Sequence, residues 1–248
     1  MDRREFFEAA GILLGGTACA YGLPLVAVSQ LTAGTAEEEE SAAGGRRWGM
    51  VIDLRSCRLN CQACTEACRR ENNAALHGDP RWDVHLIRKV QVRRKGAADA
   101  ALKPLLLLCN QCDRPPCVQA CPVQATFQRP DGIVLVDQHR CIGCRYCMIA
   151  CPYNARHYNY KENPEWPNKD QPRSVHGVPQ SCTLCVHRLD QGRKPACVEA
   201  CERVGAKALA VGDLNDPQSE VSRLIATHPV RVIREDLGTK PKVYYIGL

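Results

Sequence analysis

Apolar positions in this chain come in short bursts separated by polar, glycine- and proline-rich stretches. That is the pattern of short strands carried on long loops. Trp48 to Leu54 reads as a strand, Val84 to Val92 partly alternates and reads as another, and Leu105 to Leu108 is a short buried run. Between them, Gly96 to Lys103 reads as a loop. Thr126 to Gln128 and Ile133 to Val136 flank Asp131-Gly132, which predicts a hairpin. A strand is expected around Arg156 to Tyr160, a surface loop over the Pro- and Asn-rich piece Asn163 to Pro179, and a closing strand at Ala206 to Val211. Asp216-Pro217 would cap and start a helix reaching about Ala226. The tail from Val230 to Leu248 is expected to be extended and to clamp the fold or a partner.

One segment departs from this rhythm. An uncharged stretch runs from Ala9 to Ala36, behind the opening Met-Asp-Arg-Arg-Glu-Phe-Phe and ahead of the acidic run Glu37 to Glu40. It resembles a twin-arginine export signal, with Arg3 and Arg4 carrying the resemblance beside Phe6 and Phe7. The stretch is long enough to span a bilayer, although Pro24 interrupts it, so retention as an anchor is open. Gly34 and Ala36 would equally suit cleavage before Glu37. Cys19, inside this segment, reads as a small apolar residue. Export by this route moves folded proteins, so a cofactor assembled in the reducing cytoplasm would cross intact.

Composition then changes the picture of the interior. Of 248 residues seventeen are cysteine, against three Phe and three Trp, so cross-links or metal centres must do part of what hydrophobic bulk usually does. Sixteen of the cysteines fall into four groups: Cys57, Cys61, Cys64, Cys68; Cys109, Cys112, Cys117, Cys121; Cys141, Cys144, Cys147, Cys151; and Cys182, Cys185, Cys197, Cys201. The third, Cys-Ile-Gly-Cys-Arg-Tyr-Cys-Met-Ile-Ala-Cys-Pro, has the x2, x2, x3 spacing of a bacterial ferredoxin run ending in proline. Three close thiolates wrap one corner of a cubane while the fourth reaches a different cluster. Group two lengthens the middle interval to four residues and group four to eleven.

Rival chemistries fit this spacing less well. Zinc ribbons need two Cys-x-x-Cys knuckles but neither a third cysteine at x2 nor a fourth at x3 before proline. Cysteines two residues apart are poorly placed to pair as disulfides. His187 follows Cys185 by two positions, so Cys-x-x-Cys-His for covalent haem is absent, and the other six histidines show no ligand-like clustering. The formal charge of +6 hints at nucleic acid, but four cubanes at about −2 each would bring the loaded protein to roughly −2. No dense Lys/Arg stripe with interleaved aromatics supports nucleic-acid binding either. A self-contained oxidoreductase is disfavoured, because there is no Gly-rich dinucleotide fingerprint and no cysteine set left over for a catalytic metal. No catalytic residue is assigned.

The four groups in this order resemble the four-cluster electron-transfer subunits that accompany molybdopterin oxidoreductases and related quinone-linked complexes. The resemblance covers nearly all of residues 46 to 248. It rests on Cys109-Asn-Gln-Cys112-Asp-Arg-Pro-Pro-Cys117, Cys141-Ile-Gly-Cys144-Arg-Tyr-Cys147, Cys182-Thr-Leu-Cys185-Val-His-Arg and Pro195-Ala-Cys197-Val-Glu-Ala-Cys201. Within the family the chain looks most like the exported branch, which includes the Dsr sulfur-metabolism iron-sulfur subunit and the tetrathionate reductase electron-transfer subunit. Asn163-Pro-Glu-Trp-Pro-Asn168, Gly212-Asp-Leu-Asn-Asp-Pro217 and Val243-Tyr-Tyr-Ile-Gly-Leu248 lean it towards the Dsr type.

The resemblance implies an α+β fold of two nested bacterial-ferredoxin-like modules, with short strands, short helices and long loops behind an N-terminal hydrophobic leader helix. Residues 1–36 would be the leader, 37–47 a linker, 48–104 with 180–212 the outer module, 105–179 the inner module with a surface loop at 161–179, and 213–248 a C-terminal helix and extended tail. Four 4Fe-4S clusters are implied, on Cys57, Cys61, Cys64 and Cys201; on Cys68, Cys182, Cys185 and Cys197; on Cys109, Cys112, Cys117 and Cys151; and on Cys121, Cys141, Cys144 and Cys147. The implied role is non-catalytic electron transfer in a membrane-associated hetero-oligomer at the periplasmic face of the inner membrane. Its implied partners are a polytopic quinone-reactive subunit and either a multihaem cytochrome c or a molybdopterin catalytic subunit. Two departures from the family, three residues between Cys57 and Cys61 and Glu202 where proline commonly follows, fall on one outer cluster. That cluster is expected to be the lowest in potential or the most labile.

Overall fold

The structure is a computed structural model that describes residues 45–93, 96 and 101–248. Arg3, Arg4, Cys19, Pro24 and the acidic run lie outside the described residues, and so does any leader helix. Among the described residues no helix is long and apolar enough to cross a membrane.

The observed elements are short, as the bursts of apolar sequence require. The strands are β1 (Trp48–Asp53), β2 (Ile87–Val92), β3 (Lys103–Leu108), β4 (Thr126–Gln128), β5 (Val134–Val136), β6 (His157–Tyr158), β7 (Pro179–Gln180), β8 (Leu209–Asp213), β9 (Val230–Arg231) and β10 (Val243–Ile246). The helices are α1 (Ala63–Glu71), α2 (Pro116–Gln119), α3 (Tyr146–Ala150), α4 (Val186–Leu189), α5 (Ala196–Arg203) and α6 (Glu220–Thr227).

One four-stranded sheet, in the order β8-β1-β10-β9, joins the two ends of the described chain. β1 runs antiparallel to β8 and parallel to β10, with Met50 opposite Val211 and Val243. Because side chains alternate across a strand, Met50 and Ile52 join Leu209, Val243 and Tyr245 in the main core. Val51 faces the other way and packs with Ala210, Ile246 and the α6 residue Val221. β1 is therefore buried on both faces, which explains its unbroken apolar run. The other pairs are hairpin-like: β2 with β3, β4 with β5, and β6 with β7. In the β4–β5 turn Gly132 takes φ +80° and donates its N–H to Arg129 O at 2.9 Å, and the buried Lys242 ammonium closes over it.

The tail clamps the fold, as expected, by way of β10, although a 3-10 turn at Glu235–Leu237 interrupts it. Ahead of β10, Lys242 N–H donates to Asn110 O at 2.9 Å, and Asp113 and Arg114 donate to the carbonyls of Lys240 and Thr239. Lys242 is fully buried, and its Nζ donates to Gly132 O at 2.6 Å and pairs with Asp113 at 3.0 Å. Arg47 pairs with the same carboxylate.

Among the differences from the sequence reading, three have a clear physical reason. The helix expected from Asp216-Pro217 starts at Glu220, because Asp216 instead accepts Gln218 N–H at 2.8 Å in a turn and Ser219 Oγ caps the helix by accepting Ser222 N–H at 3.1 Å. The apolar stripe of α6 begins only at Val221, so packing selects the later start. The closing strand begins at Leu209, after left-handed Gly205 (φ +74°) and Lys207 (φ +47°) have turned the chain out of α5. The stretch Asn163 to Pro179 is a loop but not simply a surface one. Its Asn163 and Ser174 are buried against Asn73, whose side chain donates to the carbonyls of Asn168, Gln171 and Pro172 and accepts Asn168 N–H at 2.9 Å.

Candidate metal centres

Each cysteine group begins in a loop and runs into a short helix, with the last cysteine of groups two and three just past it. In α1, Cys64 and Cys68 stand four residues apart on one face, as do Cys197 and Cys201 in α5. Cys64 interacts electrostatically with Cys57, Cys61 and Cys201, and Cys68 with Cys182, Cys185 and Cys197. This crosswise pairing is the one expected of two helices packed in opposite directions, and it splits each helix between two centres. In the inner part, α2 carries Cys117 and α3 carries Cys147. Cys109, Cys112, Cys117 and Cys151 together line one cavity with Arg156 and Tyr153. Cys147 packs with Cys117 and also interacts with Cys141 and Cys121. Cys144, partly exposed, lies in the same loop between Cys141 and Cys147.

The surroundings of the sulfurs suit thiolates bound to a larger group. Among the described residues no three His, Cys, Asp or Glu side chains close up around a single metal ion. A tetrahedral zinc would draw sulfurs to roughly 3.8 Å of one another, whereas Cys109, Cys112, Cys117 and Cys151 stand around a cavity. Backbone amides point at several of them: Gly143 to Cys141 Sγ at 3.4 Å, Leu184 to Cys182 Sγ at 3.5 Å, Thr126 to Cys121 Sγ at 3.4 Å and Ala208 to Cys201 Sγ at 3.2 Å. Arg156, 4% exposed, donates Nη2 to Cys117 Sγ at 3.2 Å. Its buried Nε has no hydrogen-bond partner in the protein. A cluster sulfide in the cavity that Arg156 shares with four cysteines would accept from it, so the donor set fits a 4Fe-4S group.

Burial dominates the thiol acidities. It pushes Cys109 up to about 12 and Cys64 and Cys112 up to about 11, with neighbouring thiols adding to the effect. Cys121 behaves differently: burial acts to raise it, but the amides of Thr126, Val123 and Ala125 outweigh that and bring it below its ordinary value. Iron binding must therefore release protons from most of these sites. For Arg156 burial opposes the charge, yet Cys117, Cys109 and Cys147 together raise its pKa.

Sequence reading did not single out four of the residues that organise these sites. Gln111, fully buried, donates Nε2 to Cys182 O at 2.6 Å and accepts Val134 N–H at 2.6 Å, which ties groups two and four to β5. Asn72 Nδ2 donates to both Cys68 Sγ and Cys185 Sγ at 3.7 Å. Arg156 and Lys89 complete the set. Gln111 sits inside a Cys-x-x-Cys motif and Asn72 lies one helical turn from Cys68, so both could have been suspected; Arg156 and Lys89 reach their sites only through the tertiary fold.

Comparison with known proteins agrees with this chemistry. Residues 103–213 match the 4Fe-4S dicluster domain family. Over its whole length the chain is 39% identical to the Hdr-like menaquinol oxidoreductase iron-sulfur subunit 1 of Archaeoglobus fulgidus, covering 98% of that protein. It is 40% identical to a tetrathionate reductase component of Salmonella typhimurium, with 100% of this chain and 88% of the relative covered. The iron-sulfur cluster-binding subunit of the menaquinone reductase of Nitratidesulfovibrio vulgaris is 36% identical, over 81% of this chain and 89% of its own length. The chain thus belongs to the ferredoxin-type iron-sulfur electron-transfer subunits of the molybdopterin oxidoreductase and quinone-linked complex family, and it carries four 4Fe-4S clusters.

Proposed function

We propose that this chain relays electrons between a membrane quinone-reactive subunit and a second redox subunit of a respiratory or sulfur-metabolism complex. The observation that carries the reading is the grouping of fifteen of the sixteen motif cysteines beside one another, with Cys144 in the loop between Cys141 and Cys147, in a chain similar over its whole length to such subunits. The ligand sets are Cys57, Cys61, Cys64 with Cys201; Cys68 with Cys182, Cys185, Cys197; Cys109, Cys112, Cys117 with Cys151; and Cys121 with Cys141, Cys144, Cys147. When bound, each cluster takes up and gives back a single electron, at a potential set by hydrogen bonds, charge and exposure. The chain supplies those settings through the loop amides, Asn72 and Arg156. Exposed Ile142, Tyr146 and Ile149 surround the group-three cysteines and offer an apolar face to a partner.

Two complexes fit. The Asn163–Asn168, Gly212–Pro217 and Val243–Leu248 segments favour a Dsr-type assembly, with a polytopic quinone-reactive protein and a multihaem cytochrome c. The 40% identity to the tetrathionate reductase component favours a molybdopterin catalytic partner. Purification of the native complex, with its subunits identified and its metals counted, tests both. About sixteen iron atoms and as many acid-labile sulfides per chain are expected, and a preparation rich in zinc and lacking sulfide would sink the reading. A multihaem cytochrome in the complex selects the first assembly and a molybdopterin protein the second.

Arg3, Arg4 and the uncharged segment behind them support export of the folded, loaded protein to the periplasmic side of the inner membrane. Replacing Arg3 and Arg4 by lysine is expected to trap the loaded protein in the cytoplasm. Continued appearance in the periplasm counts against this route.

A further inference from the structure

Three of the four cysteine groups open with two residues between their first cysteines. In each, the second of those residues is left-handed: Gln111 at φ +47°, Gly143 at +70° and Leu184 at +53°. That conformation turns its N–H onto the first sulfur of the group. Gly143 reaches Cys141 Sγ at 3.4 Å and Leu184 reaches Cys182 Sγ at 3.5 Å, while the Gln111 amide serves Cys109. At position 143 only glycine fits, because a Cβ there would stand 2.6 Å from Gly177 O.

Group one breaks the pattern. Arg58, Leu59 and Asn60 lie between Cys57 and Cys61, and none of the three has positive φ. The loop is closed from outside by Lys89 of β2. Its Nζ donates to Cys61 O at 2.7 Å and to Arg58 O, which sets its charge close enough to Cys57 and Cys64 to act on both sulfurs.

We propose that Lys89 sets the reduction potential of the outer cluster, by holding a full positive charge against the loop where the other three loops turn a backbone amide onto sulfur. The proposal rests on the assignment of Cys57, Cys61, Cys64 and Cys201 to one cluster. An amide offers a partial charge, whereas an ammonium offers a full one, and a positive charge favours the reduced, more negative state. It also changes the expectation drawn from sequence. The extra loop residue and Glu202 both point to a lowered potential, but the structure gives the loop its own cation and pairs Glu202 with Lys194. Lys89 keeps the cluster within reach of the other three.

The test is EPR-monitored redox titration of the native complex carrying Lys89→Met or Lys89→Arg, with iron counted in each. Lys89→Met is expected to make one of the four reduction steps roughly tenfold less favourable, about 59 mV for one electron, and to leave the other three in place. Lys89→Arg should hold that step at the parent value. If Lys89→Met moves no step or all four alike, or Lys89→Arg moves the step as far, the proposal is overturned. Should Lys89→Met lose the cluster outright, Lys89→Arg decides: full iron with an unmoved step upholds the proposal, and loss of the cluster there too overturns it. A parent complex whose iron count does not reach four clusters faults the ligand assignment instead, so the two failures are distinguishable.

Discussion

The sulfurs of Cys117, in the inner part of the molecule, and Cys68, in the outer part, are buried alike at 7% and 4% exposure, yet they meet different donors. Cys117 receives the Arg156 guanidinium at 3.2 Å, a charge that also acts on Cys109 and Cys147. Cys68 receives the Asn72 amide at 3.7 Å, which it shares with Cys185. Close to Cys185 the charges come balanced, with Glu71 held by His187 and Arg188 and Arg188 also paired with Glu199. Burial opposes negative charge at both places. Arg188 is buried as well, but Glu71 and Glu199 balance its charge, and Lys89 serves the other outer centre. The Arg156 charge at Cys117 has no such carboxylate beside it among the described residues, so the Cys117 centre should be easier to reduce than the Cys68 centre.

The two regions also differ in how much of the fold leans on the cysteines. Cys197 sits in the main core beside Cys64, Cys68 and Cys201, whereas Cys144 is partly exposed on a loop. Replacing either by alanine should cost one cluster, about four of sixteen iron atoms. Cys197→Ala should in addition cost stability approaching the ~10 kcal/mol that a structural metal site can supply, because the packing of α1 on α5 forms around it. Iron analysis with thermal melting checks this. Equal loss of stability in Cys144→Ala would mean that the outer centres are no more structural than the inner ones.

Much of this was legible in the sequence because cysteine spacing is a local signal. The groups, their order, the Asp131-Gly132 hairpin and the β1 run through Met50 and Ile52 all follow from residues near one another in the chain. The side-chain donors were harder to read. Arg156 lies 39 residues from Cys117, and Asn72, though only four residues from Cys68, reaches Cys185 across 113; neither carries a pattern that marks it apart from other polar residues. Asn73 likewise gives no hint in sequence that it anchors the loop around Asn168. The short helices α1 and α5 escaped notice because their apolar faces are largely cysteine and alanine, which read as ligands and small residues before they read as a core. The leader and its arginines lie outside the described residues, so their reading rests on sequence.

The smaller effect, and the sharper test of the comparison, is on potential. At about 6 Å and an effective dielectric of about 20, a unit charge acts on a neighbouring centre with roughly 3 kcal/mol, on the order of 100 mV for one electron. Arg156→Met is therefore expected to lower the inner reduction steps by about that amount, as read by EPR-monitored titration with the iron count unchanged. Arg156→Lys keeps a cation without the planar fork and should fall between parent and methionine variant. Asn72→Ala removes only a weak neutral donor from Cys68 and Cys185, so its shift of the outer step should be a small fraction of that size. Each variant moves the steps of its own region, which separates an electrostatic role from a general loosening of the fold. If Arg156→Met shifts no step further than Asn72→Ala does, the buried charge is not what distinguishes the inner centres from the outer ones.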